Sequence, residues 1–510
     1  MFIFSSVLYL LSSIFLVLNY EGLYWDDWVM FNQNEDTLEL LWSMVRHGIK
    51  GDFASFLLST GNGIWPFRIT AIVICYICSS LFYRILLKHP QITNTQAKTA
   101  FALALLYPLP ATKTALSIVP FLFPLIFFFA AFYLSLINKF ENKFYGKFII
   151  IALFTISFST NSLLLFYYSF ILYKYTKNYK NFNFICIKLF IKKYWYYILL
   201  PILFYLYKII FISPWGLYYG YNSVNFKNIF KLPILFLDSF NVAVFGIMNG
   251  EPIFYYFIIL IIIIYIIFAC IIKKINKKTI ISINKKNLYI FISSALIIFF
   301  AITPYLMVDK IPVSQGWNSR FLILAPYGVG LFWASFIELF QSNNKSLKNL
   351  KKLLVAAIMV CFTLISYNKY REYLIDWYFD LAVIDIFSSN SDIQKENTFI
   401  IKEYSDGVDI TVNKNYYEWT GILRRIFNQE TRLMIPRYGS DEVSIDPYCG
   451  NIYRQYNYID WPCSKKFVAF NLKYSRAEAN KNFPHLIFLY YFDRANFSKE
   501  IGRYVYLEKN

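Results

Sequence analysis

The chain has 510 residues, of which 57% are hydrophobic and 16% charged, whereas a soluble globular protein carries roughly a quarter charged residues. Together with several apolar runs near the ~20 residues needed to cross a bilayer, this excludes an ordinary soluble domain and indicates a polytopic α-helical membrane protein. The net charge of +19 does not indicate nucleic acid: Asn368 to the end holds 19 Lys/Arg and 19 Asp/Glu, so the whole excess lies earlier, mostly in short loops. Cytoplasmic loops collect Lys and Arg in this way, and no stacking platform or nucleic-acid motif accompanies them.

Residues 2–19 form the first predicted span. It lacks a basic leader and a small-residue cleavage site, so it reads as a retained anchor with a cytoplasmic N-terminus. The next loop, 21–64, carries seven acids against Arg46 and Lys50 and is expected outside the cytoplasm. It opens Glu21-Gly22-Leu23-Tyr24-Trp25-Asp26-Asp27-Trp28. Asp36-x-x-Glu39 ahead of Leu40, Leu41 and Val45 then reads as a capped amphipathic helix lying on the membrane surface.

Further spans are predicted at 65–87, 99–116, 117–138, 148–160, 161–176, 194–213, 251–272, 288–308, 320–340 and 353–367, which with the first makes eleven. The pair at 148–176 depends on a break near Ser159-Thr160-Asn161. With that break, each lysine cluster falls on one side of the membrane. Two further outer loops lie at 214–250, with a helix near 228–246, and at 309–319.

Beyond residue 368 the texture changes. Short alternating runs such as Thr398-Phe399-Ile400-Ile401, Val408–Val412 and Phe467–Phe470 read as strands of a mixed α/β domain, 368–510, following a transmembrane domain, 1–367. An odd number of spans puts that domain on the same side as the Asp-Asp loop, outside the cytoplasm. Cys449 and Cys463 are the only cysteines in it and are expected to form a disulfide in an oxidising compartment. Cys75-x-x-Cys78 has redox-motif spacing, but it lies within an apolar helix and reads as packing.

Asp26 and Asp27 allow two readings. They are either a solvated helix end flanked by interfacial tryptophans, or a carboxylate pair whose mutual repulsion raises one pKa and equips it as a general base. Three histidines, His47, His89 and His485, are scattered and offer no metal cluster. A divalent cation such as Mg or Mn, if one is used, would sit on Asp26 or Asp27, since hard cations favour carboxylate and phosphate oxygens.

The Asp-Asp pair in the first outer loop, the surface helix behind it, about a dozen spans and a terminal extracytoplasmic domain resemble the GT-C class of glycosyltransferases. Gly63-Ile64-Trp65-Pro66-Phe67-Arg68 is similar to the Gly…Arg-Pro opening of a span in bacterial members, with Pro and Arg in the other order. Asn318-Ser319-Arg320-Phe321 with Pro326 resembles the Arg-Tyr-(x)n-Pro opening of a late span. The resemblance implies transfer of a sugar from a polyprenyl-phosphate carrier to a surface glycan or other acceptor at the outer face of a bacterial cytoplasmic membrane, with inversion. It implies Asp26, or else Asp27, as the catalytic base. Arg320, with Arg68 and Lys113 behind it, would hold the donor phosphate; Lys208 is a further intramembrane cation. Trp25, Trp28, His47 and Trp317 are candidate sugar contacts. Two other functions fit the layout: a flippase or polymerase of lipid-linked oligosaccharide, or a non-enzymatic scaffold that displays the terminal domain.

Overall fold

A computed structural model describes residues 1–30, 39, 42–46, 48–61, 63–179, 183–212, 214–215, 218–220, 222–225, 227–246, 263, 282–341, 345–406, 414–429, 432–437 and 467–509. Helices dominate. Among the described residues five are long and apolar enough to cross a membrane: Trp65–Leu87, Leu116–Leu134, Phe184–Phe211, Lys285–Leu306 and Lys345–Ser389. The first predicted span is a helix, Phe2–Ser12, that breaks at Ser13 and resumes as Ile14–Leu18. The span predicted at 99–116 is instead the Asn94–Leu106 helix followed by a short turn of helix, Pro110–Thr114. Pro108 and Pro110 explain that interruption, since each lacks an N–H and disfavours helix in the residue before it.

The expected break at Ser159–Asn161 is present: the Phe144–Ser157 helix stops and Ser162–Phe166 begins. Lys227–Val244 is the helix expected in the second outer loop. The span predicted at 251–272 lies outside the described residues except Ile263, and so does most of the Asp36–Glu39 helix signal. Close helix packing depends on small residues. A Cβ on Gly330 of the Ala325–Ile337 helix would lie 2.5 Å from the Ala100 carbonyl oxygen, so only glycine lets these two helices meet there.

The boundary near 368 is not a break in the chain. Lys345–Ser389 is one helix of 45 residues, about 68 Å long, and its apolar first half continues directly into the segment bearing Asp376 and Asp380. A polar stretch ends a span but not a helix, because helical hydrogen bonding is indifferent to hydropathy.

Past this helix the chain forms a four-stranded mixed sheet. The short pair β1 (Ser282–Ile283) and β2 (Phe340–Gln341) lies apart from it. The sheet holds β3 (Thr398–Ser405), β4 (Leu433–Pro436), β5 (Val468–Tyr474) and β6 (Val505–Lys509) in the order β4-β3-β5-β6, with β3 parallel to both neighbours and β6 antiparallel to β5. Strands at Thr398 and Phe467 agree with the alternating pattern; Val408–Val412, Cys449 and Cys463 lie outside the described residues. The helix Tyr416–Phe427 connects β3 towards β4. It buries Trp419, Ile422 and Leu423 on one face, as its amphipathic sequence requires.

Candidate functional site

The turn carrying Asp26 and Asp27 follows the first helix and sits at the end of the bundle where the Trp65–Leu87 helix starts. Three side chains shape it. Asn19 Oδ1 accepts from the Gly22 N–H at 3.1 Å, Arg68 Nη2 donates to the Gly22 carbonyl at 2.6 Å, and Tyr24 bonds both Asn19 and the Tyr373 carbonyl. Trp25 then takes a left-handed backbone, φ 52°, a conformation that costs a non-glycine residue roughly 1–3 kcal/mol unless its surroundings impose it. They do so here: its N–H donates to Glu418 Oε2 at 3.2 Å, and its ring packs at 5.0 Å on Trp317 and 5.6 Å on Tyr373.

That backbone sends the two neighbouring carboxylates in different directions. Asp27 points inward and is fully buried. Its Oδ1 accepts from the Ser117 N–H at 3.0 Å and its Oδ2 from the Tyr24 N–H at 3.2 Å, which ties the turn to the Leu116–Ile118 segment. Burial pushes its pKa up to about 7, against the opposing pull of these N–H groups and Arg68. Asp26 is only partly buried. Burial raises its pKa too, while the Arg320 charge, a hydrogen bond from the Tyr417 hydroxyl and the Lys310 charge hold it down. The Arg320 guanidinium is stacked 3.5 Å from the Trp317 ring centroid, which holds it in place.

The other sequence-predicted residues divide. Arg68 is buried; its Nη2 donates to the Gly22 carbonyl and shapes the turn, while Nε and Nη1 are buried without a hydrogen-bond partner among the described residues. Lys113 is likewise buried, with its ammonium 4.6 Å from the Tyr9 ring centroid and near Cys75, which places it inside the bundle. Trp28 packs against Trp377 at 6.2 Å with 2% exposure, and Trp25 is 6% exposed; both are packing residues and not open sugar contacts. Trp317 acts as the platform for Arg320. His47 lies outside the described residues. Cys75 and Cys78 are unpaired within their helix, in keeping with a packing role.

Both Asp27 oxygens already accept N–H groups, and among the described residues no three His, Cys, Asp or Glu side chains converge.

Three residues emerge that the sequence did not assign to the site, Tyr417, Glu418 and Lys50, and they are joined by Lys208, which it did offer as an intramembrane cation. Tyr417 and Glu418 come from the C-terminal unit; Lys50 and Lys208 come from the membrane portion. Lys50, on the Ile49–Ser59 helix, is 4% exposed, with its ammonium 4.2 Å from the Phe121 ring centroid. Its pKa is pushed down to about 7, first by burial and then by the Lys208 charge. Lys208 bonds Asn161 in the helix break, and the adjacent Ser162 meets the Tyr305 hydroxyl at 3.1 Å. Tyr305 packs 5.1 Å from Phe321, next to Arg320. The break at 158–162 thus links the two lysines to Arg320 at one end of the bundle. The Asn415-x-x-Glu418 capping box was legible as a helix start, but nothing local to it pointed towards Trp25, 393 residues away.

The C-terminal unit is welded to this turn. Arg424 Nη2 donates to the Trp28 carbonyl at 2.8 Å, and a Cβ on Gly421 would fall 2.9 Å from the Trp28 Cβ. Burial pushes the Glu418 pKa up to about 8; the Asn415 N–H and Lys414 oppose this, and the Asp380 and Asp26 charges add to it. A carboxyl whose folded pKa exceeds its unfolded value contributes most to stability below the ordinary carboxylate range and loses that contribution as pH rises through the folded value. Glu418→Gln should therefore match the wild-type melting temperature in detergent near pH 5 and exceed it above pH 8; equal temperatures at both would show that Glu418 is not buried as described.

A cavity lies towards the other end of the Trp65–Leu87 helix. It is an open, largely apolar cleft lined by Phe82, Phe129, Tyr173, Tyr327 and His89 among others. Its His89 is held by Thr176 and the Gln91 N–H, and no carboxylate is among its described lining residues. No family model matches this chain, and no curated protein or solved structure shows significant similarity to it.

Proposed function

We propose that this protein is a membrane glycosyltransferase that takes a sugar from a polyprenyl-phosphate carrier and passes it to a surface glycan or other acceptor outside the cytoplasm, with eleven spans and an extracytoplasmic C-terminal domain. The observation that carries this reading is a partly exposed Asp26 carboxylate within electrostatic reach of the Arg320 guanidinium at one end of an apolar bundle. Asp26 is the base that takes the proton of the acceptor hydroxyl. The hydroxyl oxygen attacks the anomeric carbon, the bond to the carrier phosphate breaks, and the configuration inverts. The leaving phosphate gains charge as it departs, and Arg320 stabilises it, since pre-oriented cations act most where charge develops. Lys50 and Lys208 supply further positive charge beside the helix break and take the place that the sequence had offered to Arg68 and Lys113.

The lysine pair makes this testable without a known acceptor. A polyprenyl phosphodiester keeps one negative charge between pH 6 and 9, so any pH dependence of its binding comes from the protein. Lys50 gains its charge as pH falls through about 7. The purified protein should bind the phosphodiester more tightly at pH 6 than at pH 8.5, and Lys50→Met should reduce that difference to what Asp27 and Glu418 contribute as they ionise over the same range. Binding that is absent, or equally pH-dependent in the variant, would remove the lipid-phosphate donor from the reading.

A further inference from the structure

The C-terminal unit brings a side chain onto the candidate base itself. We propose that Tyr417 is a positioning residue for Asp26, fixing the orientation of its carboxylate from across the junction between the bundle and the sheet-bearing unit. The inference takes Asp26 as the reactive acid from the reading above.

The geometry is a short relay. Asn415 Nδ2 donates to the Tyr417 hydroxyl oxygen at 3.1 Å, which leaves the hydroxyl hydrogen free to donate to Asp26. Asn415 also caps the Tyr416–Phe427 helix by a capping box with Glu418, so the relay is rigid at its base. Glu418 holds the Trp25 N–H at 3.2 Å, one residue before Asp26, and Arg424 holds the Trp28 carbonyl at 2.8 Å, two residues after it. One helix thus grips the turn on both sides of the acid and contacts the acid in between. The helix presents its N-terminal end, where the macrodipole favours a negative charge. Arg320 and Lys310 face Asp26 from the 309–322 segment, and Glu418 adds a like charge from the helix only once it ionises near pH 8.

With one Asp26 oxygen engaged by Tyr417 and Arg320 alongside, the remaining lone pairs are the ones left for an acceptor hydroxyl. A bundle without the C-terminal unit would keep the acid but lose its orientation. This gives the sheet-bearing unit a role in the chemistry that mere display or tethering would not require.

The test reads the protonation of Asp26 directly and needs no turnover. Dicyclohexylcarbodiimide labels protonated carboxyls, and peptide mass spectrometry reports labelling at Asp26 as a function of pH in the full-length, detergent-purified protein. A donor to the ionised carboxylate favours that form, so its removal makes Asp26 easier to protonate. Tyr417→Phe, and independently Tyr417→Leu, should move the labelling midpoint to higher pH and raise labelling at pH 7 severalfold, with gel-filtration elution as in wild type. Coincident midpoints in wild type and either well-folded variant would overturn the proposal. Where transfer is measurable, the acidic limb of its pH profile should move in the same direction. If Asp26→Asn leaves the surface glycan unchanged, the transferase reading fails while the labelling result still decides the role of Tyr417.

Discussion

Asp26→Asn is expected to cut sugar transfer by about 10²–10⁴, the usual contribution of a positioned general base, while the protein accumulates to wild-type levels. Asp27→Asn is expected to do the reverse and lower the yield of folded protein. The difference follows from where the two carboxylates point. Asp26 is partly exposed beside Arg320 and Tyr417, and an amide there retains size and polarity but cannot take a proton. Asp27 uses both oxygens on the backbone N–H groups of Ser117 and Tyr24. An amide has one oxygen, so one buried N–H would face an NH₂ group, at a cost of about 1–3 kcal/mol. Mass spectrometry of the surface glycan in expressing cells, together with the recovered amount of monodisperse protein, separates the two outcomes. Wild-type glycan in Asp26→Asn cells would eliminate Asp26 as base and favour a flippase, a polymerase or a scaffold.

The second large effect is on stability. Asp376, on the long helix, pairs with Arg476 just after β5, and both side chains are about 1% exposed. Lys414 pairs with Asp380 one turn further along the same helix at 2.9 Å. Phe379 packs on Tyr474 at 5.2 Å, so the contact surface is aromatic as well as ionic. Removing one partner of a buried pair leaves an uncompensated charge in a poorly solvated place, which costs roughly 3–5 kcal/mol. Asp376→Ala should therefore lower the melting temperature in detergent sharply and expose the region after Ser389 to protease. The double variant Asp376→Leu, Arg476→Met should recover most of the loss, because it removes both charges together. A single variant that melts as wild type would mean that the unit is held by its apolar contacts alone.

The candidate site was legible only in part. Asp26, Arg320 and Trp317 were singled out as residue types in suggestive places, and the structure brings them together. Arg68 and Lys113 were singled out for the same reason, an intramembrane cation, and the structure turns both inward. Their sequence neighbourhoods do not distinguish them: each begins a helix after a proline or glycine, and the direction of a long side chain depends on what lies beside it. Arg68 meets the Gly22 carbonyl, 46 residues away, and Lys113 meets Tyr9. Tyr417 and Glu418 carried no local signal beyond a helix cap.

What the sequence by itself determined is local in origin. Hydropathy is a property of each segment, so the apolar helices at 65–87, 116–134 and 285–306 and the break near Thr160 were readable from composition and periodicity. The strand pairs at Thr398 and Val468 were readable because alternation reflects one buried face per strand. The tertiary structure alone decided which of two adjacent aspartates is structural and which is open. That choice rests on a left-handed Trp25, imposed by Glu418 from the far end of the chain and by a tryptophan ring from the middle of it. Orientation at a turn is set by contacts made after the chain has folded back on itself, and such contacts leave no periodic mark in the order of the residues.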